Sequence, residues 1–137
     1  MKTKIINKFE TLEAWREAHK LVIMIYKVTK TFPREEMYRL VDQLCRAAIS
    51  VAANLVEGTS RSTNKEYKQF VYQSRASLEE VKYHLLLSKD LGYINKKVYN
   101  EIMLQADKTG KLINGLLRYL TARIQESPKN QEQRTNN

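Results

Sequence analysis

The 137-residue chain carries 24 Lys+Arg against 15 Asp+Glu, a formal net charge of +9 that would draw nucleic acid, an anionic surface or an acidic protein. Its 42% hydrophobic content is that of a globular domain, and 4 glycines with 2 prolines argue against a many-turned β architecture. The single Cys45 excludes an internal disulfide framework, and no apolar run approaches the roughly 18–20 residues of a membrane span. No secretory signal is visible, so the expectation is one cytoplasmic domain without membrane contact.

In chain order, residues 1–10 read as an N-terminal arm, 11–124 as a helical domain and 125–137 as a disordered polar tail containing Pro128. The first helix is expected over about 12–31. Leu12, Trp15, His19, Val22 and Tyr26 make one stripe at 3–4 spacing, and Ala18, Leu21, Ile25, Val28 and Phe32 make another. Two apolar faces call for two partners, within the bundle or across a subunit interface. Phe32-Pro33 ends the helix, because a residue before proline is pushed out of the α region.

A second helix is expected over about 34–57, with Met37, Val41, Leu44, Ala48, Val51 and Leu55 inward and Gly58 as its C′ residue. Thr63 and Glu66 form a capping box that opens a third helix over about 63–91, with Tyr67, Val71, Ser74, Leu78, Val81 and Leu85 inward. Gly92 stops it. Asn95 caps a fourth over about 95–124, with Val98, Ile102, Ala106, Ile113, Leu117 and Leu120 inward. Short connections between long helices favour antiparallel neighbours, so the fold class is all-α, an up-down-up-down four-helix bundle.

Signals of catalysis are weak. His19 and His84 are the only histidines, and neither has a glutamate three residues before it, as a di-metal carboxylate bundle requires. Glu80 and His84 at i, i+4 could share a face, but one such pair is common by chance. Phosphate-binding glycine loops and nucleophile–base signatures are absent, and Cys45 reads as a small hydrophobe. No enzyme activity, metal or cofactor is expected.

The cations are better organised. Arg61, Lys68, Arg75, Lys82 and Lys89 recur every seven residues, with Lys65 one turn from Arg61, and Lys97, Lys111 and Arg118 lie at multiples of seven on the fourth helix. A seven-residue period drifts only about 20° per heptad, so each set forms a stripe able to track a phosphate backbone without reading sequence. The bland alternative is a solvated face, since Glu66, Glu79, Glu80 and Asp107 lie among these cations. Tyr67, Tyr72 and Tyr83 interleave with the row and could stack on bases, although tyrosines at helical spacing are more often core.

The stretch "AAISVAANLVEGTSR", with Arg46 directly before it, sets Arg46, Ser50, Asn54, Glu57 and Arg61 on one ridge among small residues. Read as a helix–helix seam, it places Asn54 near Tyr67 and Phe70, Ser50 near Ser74, and Arg46 near Ser77 and Glu80. The expected structural network is Arg46, Ser50, Asn54, Glu57, Ser77 and Glu80, with an Arg46–Glu80 ion pair. Dense small residues leave little room there for a ligand.

"FETLEAWREAHKLVIMIY", "LVDQLCRAAISVAANLVEGTSR" and "YKQFVYQSRASLEEVKYHLLLSKDLGYI" together resemble the bacterial four-helix-bundle family encoded by intervening sequences of large-subunit ribosomal RNA genes. That family carries a ribosomal-protein label and is similar to the accessory variability determinant of diversity-generating retroelements. The resemblance implies a protomer of a barrel-like homopentamer with a basic surface. In one branch it implies nucleic-acid association alongside a reverse transcriptase. The resulting expectation is a non-enzymatic homo-oligomer that contacts RNA or DNA through its basic helix face with little specificity. The alternative is an oligomeric assembly or adaptor protein whose positive surface meets an acidic protein.

Overall fold

The computed structural model describes residues 5–126, which form an all-α four-helix bundle with no strand among the described residues. One 3-10 turn, Lys8–Thr11, precedes α1 (Glu13–Thr29); Asn7 and Glu10 cap it, and Phe9 packs edge-on against Trp15 at 4.9 Å. Of the two apolar stripes on α1, that of Ala18, Leu21, Ile25 and Phe32 enters the core with Ala14 added to it, and its Val28 is half-buried. The Trp15 stripe stays at the surface: Leu12, Trp15 and Val22 are half-buried, while His19 and Tyr26 are exposed.

The expected second helix is interrupted. A 3-10 turn at Arg34–Glu36 runs into a π turn at Met37–Val41, and only then does α2 (Asp42–Thr59) begin. A π turn takes an extra residue, so it rotates the preceding side chains relative to an unbroken α-helix. Glu36 and Leu40 therefore turn inward ahead of Leu44, and Met37, expected inside, is exposed.

α3 (Asn64–Asp90) starts where the threonine cap predicts: the Glu66 N–H donates to Thr63 Oγ1 at 3.1 Å. All six residues expected on its inner face are buried. Gly92 adopts φ +82, the left-handed conformation that releases the chain from the helix. The Val98 N–H then donates to Asn95 Oδ1 at 2.9 Å, which opens α4 (Lys96–Glu126). On α4, Ile102, Ala106, Ile113, Leu117 and Leu120 are buried together with Thr109, whose hydroxyl donates to the Gln105 carbonyl at 2.9 Å. The helix carries on through Gln125 and Glu126, where a tail was expected; residues 127–137 lie outside those described, as do 1–4.

Gly58 is not a C′ residue. It lies inside α2 without a positive φ, and a Cβ there would stand 2.7 Å from Cδ1 and 2.9 Å from Cε1 of Tyr67. Its function is close approach: the missing side chain lets the start of α3 pack onto the end of α2. No helix among the described residues is long and apolar enough to cross a membrane.

Candidate nucleic-acid interface

The ridge on α2 divides into a seam and a solvent edge. At the seam the Ser50 and Ser77 hydroxyls share a hydrogen bond of 2.7 Å, and the fully buried Ser74 donates to the Val51 carbonyl at 2.7 Å. Gly58 against Tyr67, Val51 against Ser74 and Ser50 against Ser77 show α2 and α3 running in opposite senses. Asn54 stays on its own helix, donating to the Ser50 carbonyl at 2.9 Å and to Ser50 Oγ at 3.0 Å. Its amide ties down the serine that meets Ser77.

The expected Arg46–Glu80 pair does not form. Arg46 is an exposed side chain held to Asp42, four residues earlier, at 3.1 Å, and Glu80 instead meets His84 Nε2 at 3.3 Å. A partner one turn away on the same helix needs no second helix to be ordered, so it wins over one across the seam. Ser77 takes the place expected for Ser74 opposite Ser50. Glu57 accepts from Arg61 at 2.6 Å, and its carbonyl accepts the Ser60 hydroxyl at 2.7 Å, which closes the turn into α3.

The cation row does not point evenly into solvent. It lies along the α3–α4 groove, where the pairs Arg75–Asn114, Leu78–Gly110, Lys82–Asp107 and Lys89–Tyr99 mark two helices running in opposite senses. Its members have different surroundings. Arg61 is engaged with Glu57 and lies 4.7 Å from the Phe70 ring centre. Lys82, only 24% exposed, sits between Asp107 at 3.2 Å and Glu79 at 3.4 Å, so its charge is locally balanced. Lys89 reaches Asp90 at 3.8 Å and lies 4.7 Å from the Tyr99 ring centre. Lys65 and Lys97 are exposed at opposite ends of the groove.

The middle of the groove differs. Tyr72, Arg75, Leu117 and Arg118 line a cavity of about 440 Å³, and Lys111 lines the next cavity along. Arg75 lies 5.0 Å from the Tyr72 ring centre and donates to Asn114 Oδ1 at 3.4 Å; Lys68 lies 5.5 Å from the same ring. Asn114 escapes a search confined to charged residues. Its spacing of three from Lys111 and four from Arg118 is the signal that could have found it.

A second missed group is Glu17, an acid within the buried stripe of α1. Lys20 at 3.0 Å, Gln105 at 3.1 Å and Lys108 at 3.2 Å surround it, so Lys108 serves α1 rather than the Lys111 row. Lys20 first, then Gln105 and Lys108, hold its carboxyl at about 2, with burial acting the other way. Cys45 is half-buried against Thr29, and burial pushes its thiol up, away from nucleophilic character. His19 stacks on Trp15 at 5.0 Å. Among the described residues no group of three or more His, Cys, Asp or Glu could hold a metal ion.

A family model described as the 23S rRNA-intervening sequence protein matches residues 10–115. The chain is also similar to the crystal structure of a protein of unknown function from the S23 ribosomal protein family of Bacteroides thetaiotaomicron. The TM-score is 0.71 at 18% identity, over 76% of this chain and 97% of that one, so the likeness is one of fold. No curated protein matches. Residues 10–115 take in α1, the α2–α3 seam and most of α4. The chain belongs to the 23S rRNA-intervening sequence protein family.

Proposed function

We propose that this protein is a non-enzymatic, homo-oligomeric nucleic-acid-binding protein that contacts RNA or DNA through the α3–α4 face with little sequence specificity. The observation that carries the reading is the convergence of Arg75, Lys111 and Arg118 on one groove, in a chain with a net charge of +9. Neither Arg75, Lys111 nor Arg118 has an ion-pair partner among the described residues. Their charge is therefore available to phosphates. In this reading the four helices form an up-down-up-down protomer of a ring-like oligomer, a pentamer by the family resemblance. The half-covered Trp15–Val22 stripe of α1, with Ile23 and Tyr26 exposed beside it, supplies an apolar face for assembly.

A salt titration of binding to random RNA and to random duplex DNA tests the reading. Log K should fall steeply against log salt. Replacing Arg75, Lys111 and Arg118 with glutamine should flatten the slope by about 2–3, at roughly 0.7–0.9 per phosphate contact. Absence of a steep slope in the unmodified protein sinks the proposal, and a stable monomer in sedimentation sinks the assembly part.

One observation favours a second reading, an adaptor for an acidic protein. Leu104 is 73% exposed and lines the cavities on both sides of α4, beside Lys108 and Lys111. An exposed leucine among lysines suits a protein partner better than a phosphate backbone. Weakened partner binding in a Leu104→Asp variant with unchanged RNA affinity would separate the two.

A further inference from the structure

The cavity of about 440 Å³ at the centre of the groove has a different character from its neighbours. The next cavity along α4 is lined by Arg75, Lys82 and Lys111 but also by Glu79 and Asp107, so its charge is mixed. No carboxylate lines the first one among the described residues. Arg75 and Arg118 both line it. The guanidinium of Arg118 lies over α4, where a Cβ on Gly115 would be 3.7 Å from its Nη2. That of Arg75 is fixed from two sides, by the Tyr72 ring at 5.0 Å and by Asn114 Oδ1 at 3.4 Å. Leu117 gives the cavity a buried apolar floor, and the Tyr72 ring, 39% exposed, gives it an aromatic wall. Asn114, Thr121 and Gln125 add neutral hydrogen-bonding groups at its rim.

Such a lining asks for a ligand with an anionic part and a flat, hydrogen-bonding part. A bare phosphate would use the two guanidiniums and leave the apolar floor and the ring uncovered. A double helix would present its phosphates and base edges but no base face, because its bases are stacked inside and cannot enter a cleft between two helices. An unpaired nucleotide offers both parts at once: a phosphate for Arg75 and Arg118, and a base that stacks on Tyr72 or on a guanidinium plane and meets the rim amides. The α3 row continues past both ends of the cavity, with Lys68 and Lys82 each about 10 Å away at 1.5 Å rise per residue. A strand with one nucleotide seated has further cations along its path on the Lys68 side.

We propose that this cavity seats one unpaired nucleotide and so makes the α3–α4 face a single-strand binding surface. The proposal rests on the nucleic-acid reading above and narrows its ligand class.

Four probes titrated by fluorescence anisotropy against the full chain test it: oligouridylate, oligothymidylate, a blunt duplex of equal length, and an abasic oligomer that keeps the phosphates and lacks bases. The two single strands should bind at least about fivefold tighter than the abasic oligomer and the duplex, since stacking of a base on an aromatic ring is worth that much or more. Tyr72→Leu should erase the gap while leaving the salt slope in place, and Tyr72→Phe should retain it. Tyr72 lies at the surface, so circular dichroism of both variants should match the unmodified chain. Equal affinity for the single strands, the abasic oligomer and the duplex, with a steep salt slope, overturns the cavity proposal and leaves the charge-based reading standing. No salt-dependent binding to any of the four overturns both.

Discussion

Gly58→Ala puts the close approach of α2 and α3 to a direct test. Alanine is normally the better helix residue by about 0.8–1 kcal/mol, so at an ordinary helical position the change stabilises. Here the added methyl would lie 2.7 and 2.9 Å from two carbons of the Tyr67 ring and 3.4 Å from Cβ of Phe70. Carbon atoms rest at about 3.5–4.0 Å, so one of the two helices must shift by most of an ångström. The ring has little freedom to yield: Tyr67 is buried in the first turn of α3, and its N–H is bonded to the Thr63 carbonyl at 3.1 Å. Overpacking of this kind costs about 1–3 kcal/mol, leaving a net loss of up to about 2 kcal/mol once the helix gain is subtracted. For a chain of this size that is a fall in Tm of several degrees. Thermal and urea melts of Gly58→Ala, Tyr67→Ala and the double variant form the assay. In the Tyr67→Ala background the same glycine change should be neutral or stabilising. A Gly58→Ala protein that melts higher than the unmodified one, with no coupling to Tyr67, refutes the close-approach argument.

Substitutions at three other positions probe the remaining polar groups. Glu17 has a carboxyl lowered from 4.5 to about 2, so its interactions with Lys20, Gln105 and Lys108 stabilise the fold fully above 4.5 and are lost as pH falls toward 2. Urea midpoints across that window should drop more steeply for the unmodified chain than for Glu17→Gln, and parallel curves would contradict the assignment. Ser74→Ala removes the buried hydroxyl that donates to the Val51 carbonyl and should cost about 1 kcal/mol in urea denaturation, while the bulkier Ser74→Val should cost more. Arg46→Ala should change stability by no more than about 0.5 kcal/mol, because among the described residues its ion-pair partner is Asp42 on an exposed edge; a loss several times larger would restore a buried role for the guanidinium.

The parts of the fold that were legible are those whose cause is local. Thr63, Asn95 and Gly92 place helix ends with chemistry confined to three or four residues, and the structure keeps all three. The inner face of α3 was readable because one unbroken period carries Tyr67 to Leu85. The start of the second helix was not. Met37–Val41–Leu44 and Leu40–Leu44 both satisfy a helical stripe, and only packing chooses the π turn that buries Leu40 and Glu36. Gly58 was misread for a related reason: a glycine near a helix end has a common local explanation, whereas its actual cause is a ring nine residues away. At the site, spacing found the α3 and α4 cation rows. It could not say that Lys82 is balanced by Asp107, that Lys108 turns to Glu17, or that Asn114 meets Arg75, because those facts depend on how two helices are registered.

That registry also determines what the cation row can do. α3 is fixed to α2 by small residues and short hydrogen bonds at Gly58, Ser74 and Ser77, and Arg61 in the turn between them adds contacts to Glu57 of α2 and Phe70 of α3. Its other flank presents Arg75 to α4 through one long hydrogen bond to an exposed asparagine. Fold and surface charge are thus carried by opposite flanks of the same helix. Neutralising Arg75 or Arg118 removes charge from a groove whose walls are held elsewhere, so binding and stability should separate in such variants. Lys82, like Arg61, is an exception within the row. Removing its charge would leave the exposed carboxylates of Glu79 and Asp107 close together without a cation between them, a like-charge contact. A variant set that includes Lys82 would mix loss of binding with a change in stability, whereas Arg75 and Arg118 test the surface alone.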